Sequence, residues 1–150
     1  QIKKKKKITI TDSRMTRFSI TMNEALNFIL NATNSGKGSE IFVPKMRAYN
    51  ITDLKDALMD VFENVDEEII GIRPGEKLDE ILISEDEIRY SWEYNNMYLI
   101  TNPLYSLFHV NDIKDEYQGL RKIENIKDYS SNKVEKISKQ ELKQMIKELD

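Results

Sequence analysis

The feature that most constrains this chain is its alternation of short apolar runs with amphipathic stretches, none of which repeats. Ile8–Thr9–Ile10 reads as a short strand, followed by turn chemistry at Thr11–Asp12–Ser13. Thr21 and Glu24 have capping-box spacing and open a helix. Its apolar face is Ala25, Phe28, Ile29 and Ala32, and Gly36 and Gly38 stop it. Ile41–Phe42–Val43, closed by Pro44, reads as a buried strand. Leu54, Ala57, Leu58, Val61 and Phe62 mark a second helix with Asp53 in its first turn, where a carboxylate meets the positive end of the helix dipole. Ile69 to Ile72 reads as a further strand ending in the turn Arg73–Pro74–Gly75. Ser84 and Glu87 repeat the capping spacing over a shorter helix, and Met97 to Thr101 reads as a strand. From about Pro103 to Lys127 no period is sustained, and the stretch reads as a surface excursion. A last helix opens at Ser138 with Glu141 three residues on; its stripe of Leu142, Met145, Ile146 and Leu149 is expected to dock on a core. Strands alternating with helices make the fold class α/β.

Composition narrows the function. A chain of 150 residues can bury one real core, and a charged fraction of 33% predicts a heavily charged surface. A net charge of −3 gives no global basic field for nucleic acid. Lys3 to Lys7 is an uninterrupted lysine run, but no aromatic residues interleave with it as a stacking platform requires, so it reads as a solvated chain segment. The absence of cysteine excludes disulfides, thiolate metal sites and a thiol nucleophile. His109 is the sole histidine and has no neighbouring cluster of ligands, so no metal site is expected. No apolar run approaches a membrane span, and the expected location is cytoplasmic. The chain begins at Gln1 rather than methionine, which suggests a fragment, a processed product or a trimmed chain.

Two segments place an arginine beside a strand end, where α/β proteins commonly bind ligands: Met15–Thr16–Arg17–Phe18 and Gly71–Ile72–Arg73–Pro74–Gly75–Glu76–Lys77. A guanidinium makes paired charge-assisted hydrogen bonds and keeps its charge, which suits a diphosphate. Two such groups from separate loops could clamp a nucleoside diphosphate, with Glu76 accepting from ribose hydroxyls. Gly75 would let the backbone come close and Pro74 would stiffen the loop. Arg-Pro-Gly-Glu is also ordinary exposed turn chemistry, and Arg17 has Asp12 and Glu24 nearby in sequence as ion-pair partners. Tyr129 and Lys133 have the Tyr-x-x-x-Lys spacing of short-chain dehydrogenases, but Ser130–Ser131–Asn132 favours a turn and no glycine-rich loop precedes it, so the match reads as coincidence. Asp66, Glu67 and Glu68 read as a solvated loop, and Trp92 and Tyr94 as packing residues.

Thr11-Asp12-Ser13-Arg14-Met15-Thr16-Arg17-Phe18, Glu24-Ala25, Glu40-Ile41-Phe42-Val43-Pro44-Lys45 and Ile70-Gly71-Ile72-Arg73-Pro74-Gly75-Glu76-Lys77 follow one another in the order and approximate spacing of one family. The chain resembles the UDP-N-acetylglucosamine 4,6-dehydratases of the extended short-chain dehydrogenase/reductase superfamily, most of all the inverting dehydratase that starts pseudaminic acid synthesis. Polysaccharide and capsule biosynthesis relatives are similar. The resemblance is close from Ile8 to Ile100, thin from Asn102 to Lys127, and returns weakly at Tyr129 and in the last helix. It implies the C-terminal, substrate-binding portion of a Rossmann-type fold whose N-terminal NADP-binding half is absent. The implied segments are a linker over 1–7, a nucleotide-sugar-binding region over 8–102, a variable surface segment over 103–128 and a C-terminal segment with a helix over 129–150.

In that family a tyrosine–lysine pair supports hydride removal from C4 of the sugar. An aspartate–lysine pair handles water elimination and inversion at C5, and hydride returns to C6. The product is a UDP-4-keto-6-deoxy hexosamine. The resemblance places all those groups in the missing half, so this chain is expected to hold no catalytic, cofactor-binding or metal-binding residue and to be inactive alone. It implies Arg17 and Arg73 as the diphosphate contacts, Glu76 facing the ribose, and Met15 and Lys45 lining the region. The implied partners are UDP-N-acetylglucosamine or a similar UDP-sugar, the Rossmann half and further copies of the parent enzyme, with no nucleic acid and no membrane. This sequence departs from the family pattern at Ser19, where an aromatic residue is common, at Asp79, where histidine is often found, and in a longer loop near Glu63 to Glu68. The alternatives are a UDP-hexosamine epimerase of the same family and a non-catalytic UDP-sugar-binding or interaction module. The Ile41–Val43 strand would be an edge strand of the Rossmann sheet, lacking its parallel neighbours here.

Overall fold

The computed structural model describes residues 1–2, 7–62, 66–104 and 112–148; Lys3 to Lys6, His109 and Leu149 lie outside them. The fold is α/β and divides into two compact units, each discontinuous in sequence. The first comprises Gln1–Ser19, Arg47–Glu80 and Ser131–Asp150, and the second Ile20–Met46 and Ile81–Ser130.

In the first unit, β1 (Ile8–Ile10) pairs in parallel with β5 (Glu67–Ile69), Ile8 opposite Glu67. β2 (Thr16–Ser19) pairs antiparallel with β4 (Arg47–Asn50), Arg17 opposite Tyr49. Helix α2 (Ile51–Val61) opens at Asn50, whose side-chain amide donates to Asp53 at 2.7 Å. Its Ala57 is fully buried against Ile137 and Leu142, with Tyr49, Leu54, Met145 and Ile146 packed around them. The last helix, α5 (Lys139–Glu148), therefore docks on a core as its spacing predicts.

The Ser138–Glu141 capping box also forms: Glu141 accepts from the Ser138 backbone at 3.0 Å and hydroxyl at 2.9 Å. The Arg47 guanidinium, 2.8 Å from the Glu141 carboxylate, is the larger of the influences that hold its pKa down at about 2, ahead of Ser138. A depressed carboxylate stabilises fully above its unfolded value and less as pH falls through its folded one. The contribution of Glu141 is thus expected to fade between pH 4.5 and about 2. Carboxyl-carbon NMR titration checks this, and in Arg47→Gln the Glu141 midpoint should move up toward the ordinary glutamate range.

In the second unit, Thr21 and Glu24 form the predicted capping box, and α1 runs Met22–Ser35. Only its Ala25–Phe28–Ala32 side is half-buried; Ile29, expected on that face, is 56% exposed. β3 (Ile41–Pro44), β8 (Met97–Ile100), β7 (Ser91–Tyr94) and β9 (Arg121–Lys122) form an antiparallel sheet in the order β3-β8-β7-β9. The Ile41–Val43 strand thus finds its neighbour inside this chain, and the pairing is antiparallel, which corrects its expected place at the edge of a parallel sheet. Val43 is its one buried residue; Ile41 is exposed. β6 (Ile81–Ile83) pairs with β10 (Tyr129–Ser130), and α3 (Glu85–Ile88) starts at the Ser84–Glu87 capping box.

The segment read as a surface excursion contributes to the core. Helix α4 (Ile113–Glu116) brings Ile113 and then Tyr117, both buried, against Leu99. Burial pushes the Tyr117 hydroxyl well above its ordinary pKa, Glu40 adds to the rise, and the Lys37 backbone N–H donates to it at 3.1 Å. Trp92 and Tyr94 pack on the same cluster, as packing residues should, and Tyr94 meets Tyr117 edge-on at 5.1 Å. The expected strand from Ile69 to Ile72 is shorter and less buried than its composition suggests. β5 ends at Ile69, and Ile69, Ile70 and Ile72 are all exposed.

Candidate functional site

The Arg73–Pro74–Gly75–Glu76 loop is a closed turn. The Glu76 N–H donates to the Arg73 carbonyl at 3.0 Å, and the Arg73 N–H donates back to the Glu76 carboxylate at 3.0 Å. Gly75 has φ 86°, in the left-handed region that a side chain would strain. The Arg73 side chain is 64% exposed, and its guanidinium has one weak partner among the described residues, Glu76 at 3.9 Å. It is a fork of donors held out to solvent.

Arg17 is placed differently. β2 is bound to the chain that follows the turn by three consecutive residues. Thr16 donates its hydroxyl to Asp79 at 2.7 Å, and its N–H to the Leu78 carbonyl at 3.0 Å. The Arg17 guanidinium donates to the carbonyls of Thr16, Leu78 and Lys77 at 2.7, 3.0 and 3.1 Å, and to the Met15 sulfur at 3.2 Å. The Phe18 N–H donates to Glu80 at 3.1 Å. The acid that Arg17 faces is Glu80, at 3.7 Å; Asp12 is held by Arg14 and Glu24 by its helix cap. Asp12 is pulled down to about 2, chiefly by the Arg14 side-chain hydrogen bond.

Behind β2, the fully buried Ser131 hydroxyl lies 2.6 Å from that of Thr16 and accepts from the Glu80 N–H at 2.9 Å. Asp79, a departure from the family pattern, thus has a defined task as acceptor for Thr16. Across β4, burial and then the Glu80 charge raise the Tyr49 pKa, partly offset by Arg17.

Of the residues singled out in the sequence, Arg17, Arg73, Glu76 and Met15 belong to the first unit. Met15 is buried, and its carbonyl accepts from Ile51. Lys45 belongs to the second unit, where it pairs with Glu93 at 3.1 Å and lies over the Tyr98 ring at 4.8 Å. Thr16, Glu80 and Ser131 carried no sequence signal, since each works through partners more than 50 residues away. The Tyr129 to Lys133 spacing is not a helix face: Tyr129 is buried in β10, and its hydroxyl receives the Met46 N–H at 2.6 Å. Among the described residues no cluster of acidic or histidine side chains has metal-site geometry, and no helix is long and apolar enough to cross a membrane.

The sequence matches the polysaccharide biosynthesis protein family over residues 1–102. The chain belongs to that family. It is 40% identical over 130 residues to a Campylobacter jejuni UDP-N-acetylglucosamine 4,6-dehydratase (inverting), covering 85% of this chain and 38% of the relative. It is also 33% identical over its full length to a Rickettsia massiliae UDP-glucose 4-epimerase, of which it covers 43%. Its fold is similar to the crystal structure of Pen from Bacillus thuringiensis, with a TM-score of 0.78 and 32% identity over 100% of this chain and 42% of that one. The resemblance legible in the sequence holds at family level, and the chain spans about two-fifths of the length of these relatives.

Proposed function

We propose that this chain is the UDP-sugar-binding portion of a UDP-N-acetylglucosamine 4,6-dehydratase, a lyase that forms a UDP-4-keto-6-deoxy hexosamine for surface polysaccharide or pseudaminic acid synthesis. The observation that carries the reading is the Arg73–Glu76 turn. It offers an exposed guanidinium and a carboxylate within one turn, the complement of a diphosphate and a ribose. Met15 and Lys45 are proposed as further substrate residues, and Arg17 as serving the turn from β2.

The assignment to a C-terminal portion draws support from β1 and β5. Parallel strands occur almost only in larger sheets covered on both faces, and a two-stranded sheet is marginal alone. Here a parallel pair leaves Ile69 exposed, as expected of strands that continue a larger sheet on another half of the protein. NADP fits that other half and not this chain. Gly36 and Gly38 begin a Gly-x-Gly spacing, but Ile41 stands where the third glycine belongs, and the segment follows a helix rather than a strand. The parent enzyme is accordingly proposed to be an NADP-dependent cytoplasmic homo-oligomer, and this chain to be inactive alone.

Calorimetric titration with UDP tests the reading. Wild type should bind, and Arg73→Ala should bind about tenfold or more weakly, the scale of one charge-assisted contact. A folded wild-type chain that ignores UDP would overturn it, and turnover of UDP-N-acetylglucosamine with NADP by this chain would overturn its proposed inactivity. The full-length match to an epimerase favours a second reading, epimerisation of a UDP-hexosamine, which shares this UDP site and differs in the catalytic half.

A further inference from the structure

Four of the five donors of Arg17 are committed. A guanidinium carries five N–H groups in a fixed fork. Both on Nη1 go to the carbonyls of Thr16 and Leu78, and those on Nη2 go to the Lys77 carbonyl and the Met15 sulfur. Nε faces Glu80 at 3.7 Å, and the side chain is only 23% exposed. To present its fork to a phosphate, Arg17 would have to give up charge-assisted hydrogen bonds to the carbonyls of Thr16, Leu78 and Lys77. Arg73 is 64% exposed and has no comparable commitments.

We infer that Arg17 is a positioning residue: it braces the loop over residues 73–80 against β2 and acts on UDP through Arg73 and Glu76, not as a phosphate ligand. This rests on the UDP-binding reading above. The two arginines then divide the work that a symmetrical clamp would share. Arg17 fixes where the chain after the turn leaves β2, with Thr16–Asp79 and Phe18–Glu80 closing the same seam on either side. Only a planar fork can span the carbonyls of Thr16, Lys77 and Leu78 together. A lysine, with its charge at one point on a flexible stem, keeps the electrostatics and loses the brace.

The experiment combines amide hydrogen exchange with UDP titration on wild type, Arg17→Lys, Arg17→Ala and Arg73→Ala. The informative amides are Thr16, Phe18 and Glu80, which donate to Leu78, Glu80 and Ser131 respectively. In Arg17→Lys they should exchange about tenfold or more faster while the amides of α2 stay slow, the mark of local opening. Arg73→Ala should leave them unchanged. Arg17→Lys should weaken UDP binding severalfold with the wild-type salt dependence, because no phosphate contact has been removed.

Unchanged exchange in Arg17→Lys would overturn the inference. So would retained UDP affinity in Arg17→Lys together with a shallower salt dependence in Arg17→Ala, since that pair of results describes a phosphate ligand. Faster exchange in a wild-type background that never binds UDP would uphold the brace and sink the UDP reading.

Discussion

Replacing Leu99 by alanine is expected to remove about 3 kcal/mol of stability, within the usual range for a buried leucine. Leu99 is fully buried on β8, between β3 and β7, with Phe42 and Trp92 as its cross-strand partners. Ile113 and Tyr117 close over it, and Tyr94 and Leu120 complete the shell. Most of those neighbours are rings, which are stiff and cannot move in to fill the space of a lost isobutyl group, so the cavity should persist. Trp92 is the sole tryptophan and touches the cluster, so its fluorescence reports the loss directly. Urea titration should show a midpoint lowered by about 1.5 M for a slope near 2 kcal/mol/M. A loss below about 1 kcal/mol would mean that the cluster collapses around the gap.

Thr16→Val should cost about 2 kcal/mol although it conserves shape, because the partly buried Asp79 carboxylate loses its donor and the buried Ser131 hydroxyl loses a polar neighbour. The Thr16 hydroxyl donates to Asp79 at 2.7 Å and lies 2.6 Å from the Ser131 hydroxyl, which also donates to the Thr16 carbonyl at 3.2 Å. Valine removes both bonds at a site where Thr16 is 6% exposed and Ser131 is fully buried. Thr21→Ala serves as the control. It removes an exposed helix cap at a cost of about 1 kcal/mol. If chemical denaturation finds the two variants equal, water satisfies Asp79, the retained carbonyl of residue 16 satisfies Ser131, and the network adds little. If Thr16→Val is clearly worse, the seam between β2 and Asp79–Glu80 is a main support of the first unit.

What was legible in the sequence was local. Thr21–Glu24, Ser84–Glu87 and Ser138–Glu141 each form the reciprocal cap that their spacing predicts, because both partners lie within one turn. The stripe Leu142–Met145–Ile146 likewise finds a core. β2 and β4 escaped notice because Thr-Arg-Phe-Ser and Arg-Ala-Tyr-Asn carry few apolar residues, and their register is set across about thirty residues of intervening chain. Ile69 to Ile72 misled in the opposite direction: four residues with three isoleucines read as a strand, yet β5 ends at Ile69 and all three isoleucines are exposed. Tyr117 was hidden because a single ring entering from a charged, aperiodic segment has no pattern to betray it. The same division runs through the candidate site. Arg73 and Glu76 are three residues apart and were visible together. The partners of Arg17 are mostly backbone carbonyls some sixty residues away, and a carbonyl has no sequence signature.

The discontinuous make-up of the first unit has a consequence for the order in which the molecule is made. A chain emerging from the ribosome presents β2 well before the hydroxyl on Ser131 that lies against Thr16, and the Ala57 cluster waits for Ile137 and Leu142. The second unit has all its residues by Ser130, one position before the first unit receives Ser131. Vectorial synthesis would therefore complete the later-starting unit first and leave the Thr16–Ser131 contact and the Ala57 cluster unformed until residues 131–142 arrive.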